Sequence, residues 1–368
     1  MNTAPTHRSR PRHARPAPPE PAIVALIPAH DEETRIASAI SALRRQTRSP
    51  GTIVVIADNC TDRTAETAAA AGALVLHTSG NTHKKTGALN QGLDFLMPTL
   101  RDEDLIVIQD ADTVLEPAFI AHASAALNPR TGAVGGIFYG DAGGGLLGTL
   151  QRIEFHRYAR EISRRNYRAD VLTGTATLFR AATLRRLKEA RTEGRLPGGT
   201  SYYSPATLTE DDEITKAVRT LGYRTISPAG CSVTTEVMPT VRKLWHQRMR
   251  WQRGALENLR HYGLTPITLP YFLRQIAMGL SVLALLLYLT FTAWMLARGV
   301  TTIAPLWIAV GALFIAEKTI TARKAGRRCQ LLAALLVVEL LYDLFQHAVY
   351  LRCLYDFARR RRECWRPT

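Results

Sequence analysis

Cysteine is scarce in this chain of 368 residues: Cys60, Cys231, Cys329, Cys353 and Cys364 are scattered, odd in number and show no metal-ligand spacing. That excludes a disulfide framework and a thiolate zinc site, and it fits a reduced, cytosol-facing protein. The first 22 residues lack any apolar run behind their basic start, which excludes a signal peptide. Rich in Pro, Arg and His, they cannot bury enough surface to fold and read as a disordered basic tail. No apolar stretch long enough to cross a bilayer precedes Phe272. Acids are in deficit, 31 Asp and Glu against 47 Lys and Arg, for a formal net charge of +16. An excess of this size calls for an anionic partner. Arginine clusters lie in the first 15 residues, in 242–260, in 323–328 and in 359–362, and the last three flank apolar segments. Such placement favours a membrane surface over a nucleic-acid groove.

What the chain does have is an alternation of apolar strands and helical patterns from Ile23 onward. Strands are expected at 23–27, 53–57, 73–77 and 105–109, with helices to about Arg45, to about Ala71 and over 88–97. This spacing predicts a parallel, doubly wound α/β sheet whose strand ends converge on one cleft. A second half holds a Gly-rich strand near 133–138, an amphipathic helix near 146–166, the segment 171–179, a helix from about 181 and a polar loop at 194–205. Thr209 is then expected to N-cap a helix opened by Glu210, Asp211, Asp212 and Glu213, and 223–236 to form two short strands.

The stretch Leu105-Ile-Val-Ile-Gln-Asp-Ala-Asp-Thr113 is the centre of this pattern. Residues two apart on an extended segment point the same way, so Asp110 and Asp112 can face one point. Paired carboxylates at a strand end suit a hard divalent cation that shares its site with phosphates.

From Val241 to about Tyr262 basic residues interleave with Leu244, Trp245, Met249, Trp251, Ala255 and Leu259 at helical spacing, as in a helix lying in a membrane interface. Residues 272–297 are long and apolar enough to span, 300–316 form a second, shorter run, and 331–351 a third. The third carries Glu339, Asp343 and His347 on one helical face, so it either lines a hydrated path or lies in the interface without crossing. Basic flanks put the folded domain on the cytoplasmic side of a multi-pass inner-membrane protein. The expected layout is a tail over 1–22, a catalytic domain over 23–240, interfacial helices over 241–271, membrane helices over 272–352 and a basic tail over 353–368.

Five blocks in this order carry a resemblance: Pro28-Ala-His-Asp-Glu32; Asp58-Asn-Cys-Thr-Asp62; Lys85-Thr-Gly-Ala-Leu-Asn90; Asp110-Ala-Asp112; and Thr209-Glu-Asp211 followed by Gln247-Arg-Met-Arg-Trp251. Over residues 23–255 the chain resembles the membrane-bound family 2 glycosyltransferases, the inverting GT-A enzymes that include cellulose, chitin, hyaluronan and poly-N-acetylglucosamine synthases. The resemblance implies that Pro28, His30, Glu32, Asp58, Lys85, Asp110, Asp112, Gln247 and Arg250 hold a UDP-sugar, with Asp58 at the uracil and Lys85 at the diphosphate. Asp112 and Asp110 would hold Mg²⁺ or Mn²⁺, and Asp211 would be the general base. Gly174, Thr175, Glu210 and Trp251 would meet the acceptor. The implied reaction adds glucose or N-acetylglucosamine from the UDP-sugar to a growing β-linked glycan, or in the alternative one sugar to a lipid-linked acceptor. Partners are then the donor, the acceptor, membrane lipids and optionally a second copy of the chain, with no nucleic acid. The chain departs from the family in having no membrane helix before the catalytic domain and no match to the gating-loop motifs after Trp251.

Overall fold

The computed structural model describes residues 20–300 and 305–361. The expected basic tail therefore falls almost wholly outside the described residues, as does the chain after 361. The catalytic domain opens with β1 (Ile23–Ala29), α1 (Ile36–Arg44), β2 (Thr52–Ala57), α2 (Thr64–Ala70), β3 (Leu74–His77), α3 (Lys84–Leu96) and β4 (Leu105–Gln109). β5 (Val114–Leu115), α4 (Phe119–Ala126), β6 (Thr131–Gly135), β7 (Ile137–Gly140), α5 (Gly145–Arg164), β8 (Ala176–Arg180), α6 (Ala181–Thr192) and α7 (Glu210–Thr220) follow. β9 (Arg224–Ile226) and β10 (Ser232–Thr235) complete two sheets.

The main sheet has seven strands in the order β3-β2-β1-β4-β8-β6-β9. β1 is buried along its whole length because both faces are covered. Val24 and Leu26 meet Leu89 and Leu93 of α3 on one side, and Ala25 and Ile27 meet Ile36 and Ile40 of α1 on the other. An uninterrupted apolar run is what such a strand requires.

The sheet is mostly parallel, as expected of this fold, with one strand reversed. β8 is antiparallel to both β4 and β6. It enters from the sheet's carboxyl edge, so the turn leading into it lies beside the end of β4, where the Asp110 N–H donates to the Thr175 carbonyl (3.2 Å). The Gly-rich segment near 133–138 is likewise two strands. Gly136 N–H bonds to Ala176 of the main sheet and the next amide, Ile137 N–H, to Cys231 beside β10. There the chain crosses into a small three-stranded sheet, β5-β10-β7.

α8 (Val241–Tyr262) is amphipathic as expected, and α9 (Leu269–Ala297) follows it. α9 is the one described helix that is by itself long and apolar enough to cross a membrane, and it is exposed over nearly all its length. At ~1.5 Å per residue its 29 residues exceed a hydrocarbon core of about 30 Å. The second expected span is shorter: α10 (Pro305–Thr321) has 17 residues and carries Glu317 and Lys318 in its last turn and a half.

The third run is broken rather than straight. α11 (Arg327–Ala334) and α12 (Leu336–Ala358) meet at 83°. Just past the bend, Glu339 is 3% exposed and takes both terminal nitrogens of Arg157 on α5, at 2.7 and 3.0 Å, with Lys318 at 3.2 Å. A carboxylate so paired is anchored to the catalytic domain, and α12 lies along α8 with Val349 and Cys353 against Met249.

Candidate functional site

The sequence brings acids and amides to the carboxyl edge at the ends of β1, β2 and β4. The loops after β1 and β2 are stapled to each other. Asp31, held at a φ of 55°, accepts from Thr61 N–H (2.6 Å) and Thr61 Oγ1 (3.0 Å). Asp62 accepts from Glu33 N–H (3.0 Å), and Glu32 N–H donates to Thr64 Oγ1 (2.7 Å). Asp31, Cys60 and Asp62 stand close enough together to ligate a metal, but both carboxylates are spent on these loop amides and hydroxyls.

Asp58 is buried at the end of β2, and one of its oxygens accepts from Asn81 Nδ2 (2.7 Å), Thr78 Oγ1 (2.8 Å) and Asn59 Nδ2 (3.0 Å). His30 Nδ1 donates to the Asp58 carbonyl (2.7 Å), which places the ends of β1 and β2 at one corner. Pro28 is buried within β1, in register with Ile56.

Lys85 lies in the first turn of α3, not in the loop before it as the helix expected over 88–97 implied. Its Nζ bridges Asp110 and Glu210, at 2.5 Å from the latter. Gly174 fits against this bridge: a Cβ there would lie 3.0 Å from Lys85 Nζ, 3.3 Å from Glu210 Oε1 and 3.4 Å from Asp110 Oδ2. Any side chain at 174 would enter the ion-pair bridge. The neighbouring Thr175 and Thr173 hydroxyls are 2.8 Å apart.

The four acids that open α7 have four different surroundings. Glu210 is paired with Lys85; burial alone would raise its carboxyl, but Lys85, helped by Arg250, holds it below the usual range. Asp212 pairs with Lys216 and accepts from Asn258 Nδ2 (2.9 Å). Glu213 accepts from Arg191 (2.8 Å) and the Tyr262 hydroxyl (2.6 Å). Asp211 accepts only backbone amides, from Gly174 (3.3 Å) and Asp212 (2.8 Å). With no cation bound to it, burial and the Glu210 charge raise its carboxyl to about 7. The expected N-cap is formed by Thr209 in position only, because its hydroxyl accepts from Asn258 on α8 (3.2 Å) and not from α7.

On the opposite side of the cleft negative charge accumulates. Burial and the charges of Asp112, Glu236 and Asp110 raise Glu32 to about 7. Burial, opposed by Lys85 and reinforced by Asp112, raises Asp110 to about 6. One oxygen of Asp112 accepts from Thr113 Oγ1 (3.1 Å) and Thr235 Oγ1 (3.5 Å). Carboxyls such as Glu32 and Asp110, raised by burial and by the acids beside them, would be relieved by a divalent cation, so the residues present fit such an ion.

The structure thus joins Lys85, Asp110, Gly174, Glu210 and Asp211 directly, with Glu32 and Asp112 facing the same cleft. Arg250 and Gln247 lie on the buried side of α8, where Arg250 reaches Glu210 by charge and Gln247 Oε1 has no partner. Trp251 is partly exposed and packs under Arg248, 4.3 Å from its ring centroid. Three residues escaped the sequence reading. Glu236 follows β10 as Asp112 follows β4, and Arg35 ties it at 3.2 Å and Asp141 at 3.6 Å; the rule that strand-end acids face the cleft could have found Glu236.

Comparisons with known proteins bear on the family and the fold. The family model described as "Glycosyltransferase like family 2" matches residues 19–254. A probable glycosyltransferase of Bacillus subtilis, YdaM, is 28% identical over 250 residues, covering 64% of this chain and 55% of its own length. The poly-beta-1,6-N-acetyl-D-glucosamine synthase of Staphylococcus epidermidis is 24% identical over 64% of this chain and 54% of its own. The chain therefore spans about half the length of the curated relatives it matches. Among solved structures, the mannosyltransferase PcManGT of Pyrobaculum calidifontis, in complex with GDP-Man and Mn²⁺, covers 92% of this chain and 88% of its own at a TM-score of 0.58 and 18% identity. That likeness speaks for the fold.

Proposed function

The chain belongs to the family 2 glycosyltransferases, and on that premise we propose that it moves N-acetylglucosamine or glucose from a UDP-sugar, with inversion, to a growing β-linked glycan at the cytoplasmic face of a membrane. One observation carries the reading. Of four consecutive acids, Asp211 alone is left without a cation or side-chain donor among the described residues, and it stands across Gly174 from the Lys85–Asp110 bridge. An inverting transfer needs such a carboxylate, near neutral pKa, to take the proton of the acceptor hydroxyl as the new bond forms.

The other residues divide the remaining work. Asp58, with Asn81 and Thr78 arrayed on it, would accept from the uracil ring, and His30 and Glu32 would lie along the nucleotide. Lys85 would exchange Asp110 and Glu210 for the diphosphate, as a point charge on a flexible stem can. Gln247 and Arg250 would close the diphosphate side, and Gly174, Thr175, Glu210 and Trp251 the acceptor side. Asp112 and Asp110 would hold Mg²⁺ or Mn²⁺, which when bound neutralises charge on the departing diphosphate. The poly-N-acetylglucosamine synthase among the relatives supports N-acetylglucosamine as the first donor to try.

α9 and the basic flanks support a membrane location with the catalytic domain on the cytoplasmic side. The same helix favours a second reading, one-sugar transfer to a lipid-linked acceptor. α8, which carries Trp251, passes into α9 within seven residues, so an acceptor held in lipid would meet the site from that side. Membranes incubated with labelled UDP-N-acetylglucosamine or UDP-glucose separate the two. A product ladder supports polymerisation, one added sugar supports the second reading, and no UDP release from either donor, with or without Mn²⁺, sinks both.

A further inference from the structure

The family match stops at residue 254, yet the helix bearing Gln247–Trp251 is packed along its length by a helix from well beyond that limit. Phe345 of α12 stands edge-on to Trp245, with centroids 5.8 Å apart. Val349 and Cys353 cover Met249, and Phe357 lies under the Arg253 guanidinium at 5.0 Å. The intervals of four from 345 to 357 make this one continuous face of α12.

A polar junction caps the seam. One carboxylate oxygen of Glu154, on α5, accepts from Arg248 Nη2 (2.8 Å), the Tyr342 hydroxyl (2.6 Å) and Gln346 Nε2 (3.5 Å). Arg248 is buried, and the guanidinium that Glu154 grips is the one stacked on the Trp251 indole at 4.3 Å. A planar guanidinium held by a charge-assisted bond at its edge has little freedom to tilt, so its face dictates the plane of the ring it covers. Arg248 fills a position that the Q-x-x-R-W pattern leaves open, so the pattern does not account for it.

We infer that α12 sets the pose of Trp251 through the relay Tyr342–Glu154–Arg248, which makes these three positioning residues for the acceptor side of the site. The inference rests on the reading that Trp251 meets the acceptor sugar. The relay is separable from plain packing, because the apolar contacts of Phe345, Val349 and Cys353 hold α12 on α8 whether or not the Tyr342 hydroxyl is there.

The test uses the full chain in detergent and the variants Tyr342→Phe, Glu154→Gln and Phe345→Leu, each with and without Trp251→Phe. Subtracting the paired spectra isolates the Trp251 emission, whose quenching by acrylamide reports ring exposure. Tyr342→Phe and Glu154→Gln should increase that quenching and lower sugar transfer from UDP-N-acetylglucosamine on the order of tenfold, while KM for the donor stays within about twofold. Phe345→Leu should lower the thermal midpoint and leave the Trp251 quenching unchanged. Unaltered quenching in both relay variants, or an equal rise in Phe345→Leu, overturns the relay. Should the unmodified chain release no UDP from any donor, the functional reading fails, while the fluorescence comparison still decides the relay.

Discussion

At the scale of the residue, the site works by withholding partners. Three of the four acids of α7 pair with a cation, Lys85, Lys216 or Arg191. Asp211 does not, and its carboxyl sits near 7. Asp211→Asn keeps the shape and the two amide contacts but cannot take a proton. Transfer should fall by at least about a thousandfold while UDP binding, measured by titration calorimetry, stays within severalfold. Loss of UDP binding in this variant would move Asp211 to the nucleotide side. The sign of the pH dependence follows from the same group. A base must be deprotonated, so kcat/KM should rise with pH up to about 7, falling about tenfold per unit below it, and level off above. A flat profile from pH 5 to 8 would remove the base assignment. Glu32 adds a separate limb: protonated below about 7, it should weaken Mn²⁺ binding in the presence of UDP as pH falls, a trend that Glu32→Gln would flatten.

At the scale of the element, the base-bearing helix is held by the helix that lies on the membrane side. Gly254 of α8 leaves room for Thr209, whose Oγ1 would be 2.3 Å from any Cβ there. One turn on, buried Asn258 donates to Asp212 Oδ2 and to Thr209, and accepts from Thr207 Oγ1 (2.9 Å). Gln247, Arg250, Gly254, Asn258 and Tyr262 fall at helical intervals, so one stripe of α8 reads along α7 from the site to Glu213. Gly254→Val should therefore cost about 1–3 kcal/mol in stability and reduce transfer, with the thermal midpoint and the rate falling together. This joint was not legible in the sequence. A glycine and an asparagine inside a basic amphipathic helix look like surface residues, and only the approach of α7, about 50 residues earlier in the chain, makes them core. Strand-end residues such as Asp58, Asp110 and Asp112 were legible because a parallel sheet sends every strand end to the same edge. The direction of β8 was not, since a reversed strand has the same apolar pattern as a forward one. Nor was the bend at Leu335, beyond which Glu339 meets Arg157, 182 residues away in the chain.

At the scale of the molecule, the catalytic domain and its helical appendage are tied by polar contacts, not merely tethered. Asp170 takes Arg274 from α9 and Arg219 from α7, and the Tyr271 hydroxyl donates to the Asp170 carbonyl (2.5 Å). Arg157 and Glu339 do the same for α12. The exposed apolar surface of α9, with Leu280, Leu287, Phe291 and Leu296 all more than half exposed, is more than basic residues alone would need for adsorption to lipid. The full chain should accordingly stay with membranes through high-salt and alkaline washes and leave only with detergent. Release by salt alone would reduce α9 to an interfacial helix and remove the membrane span from the functional reading.

The reversal of β8 has a consequence for recombination. Everything assigned to the donor lies before Gly136 except α8, while the turn at Gly174 and the base helix arrive afterwards, joined to the donor half through β8 against β4 and β6, β9 against β6 and β10 against β5. Gly136, where one amide serves one sheet and the next serves the other, is a natural splice point. Hybrids joined there between two related transferases would inherit nucleotide choice from one parent and acceptor choice from the other, provided α8 and α12 travel together with the second.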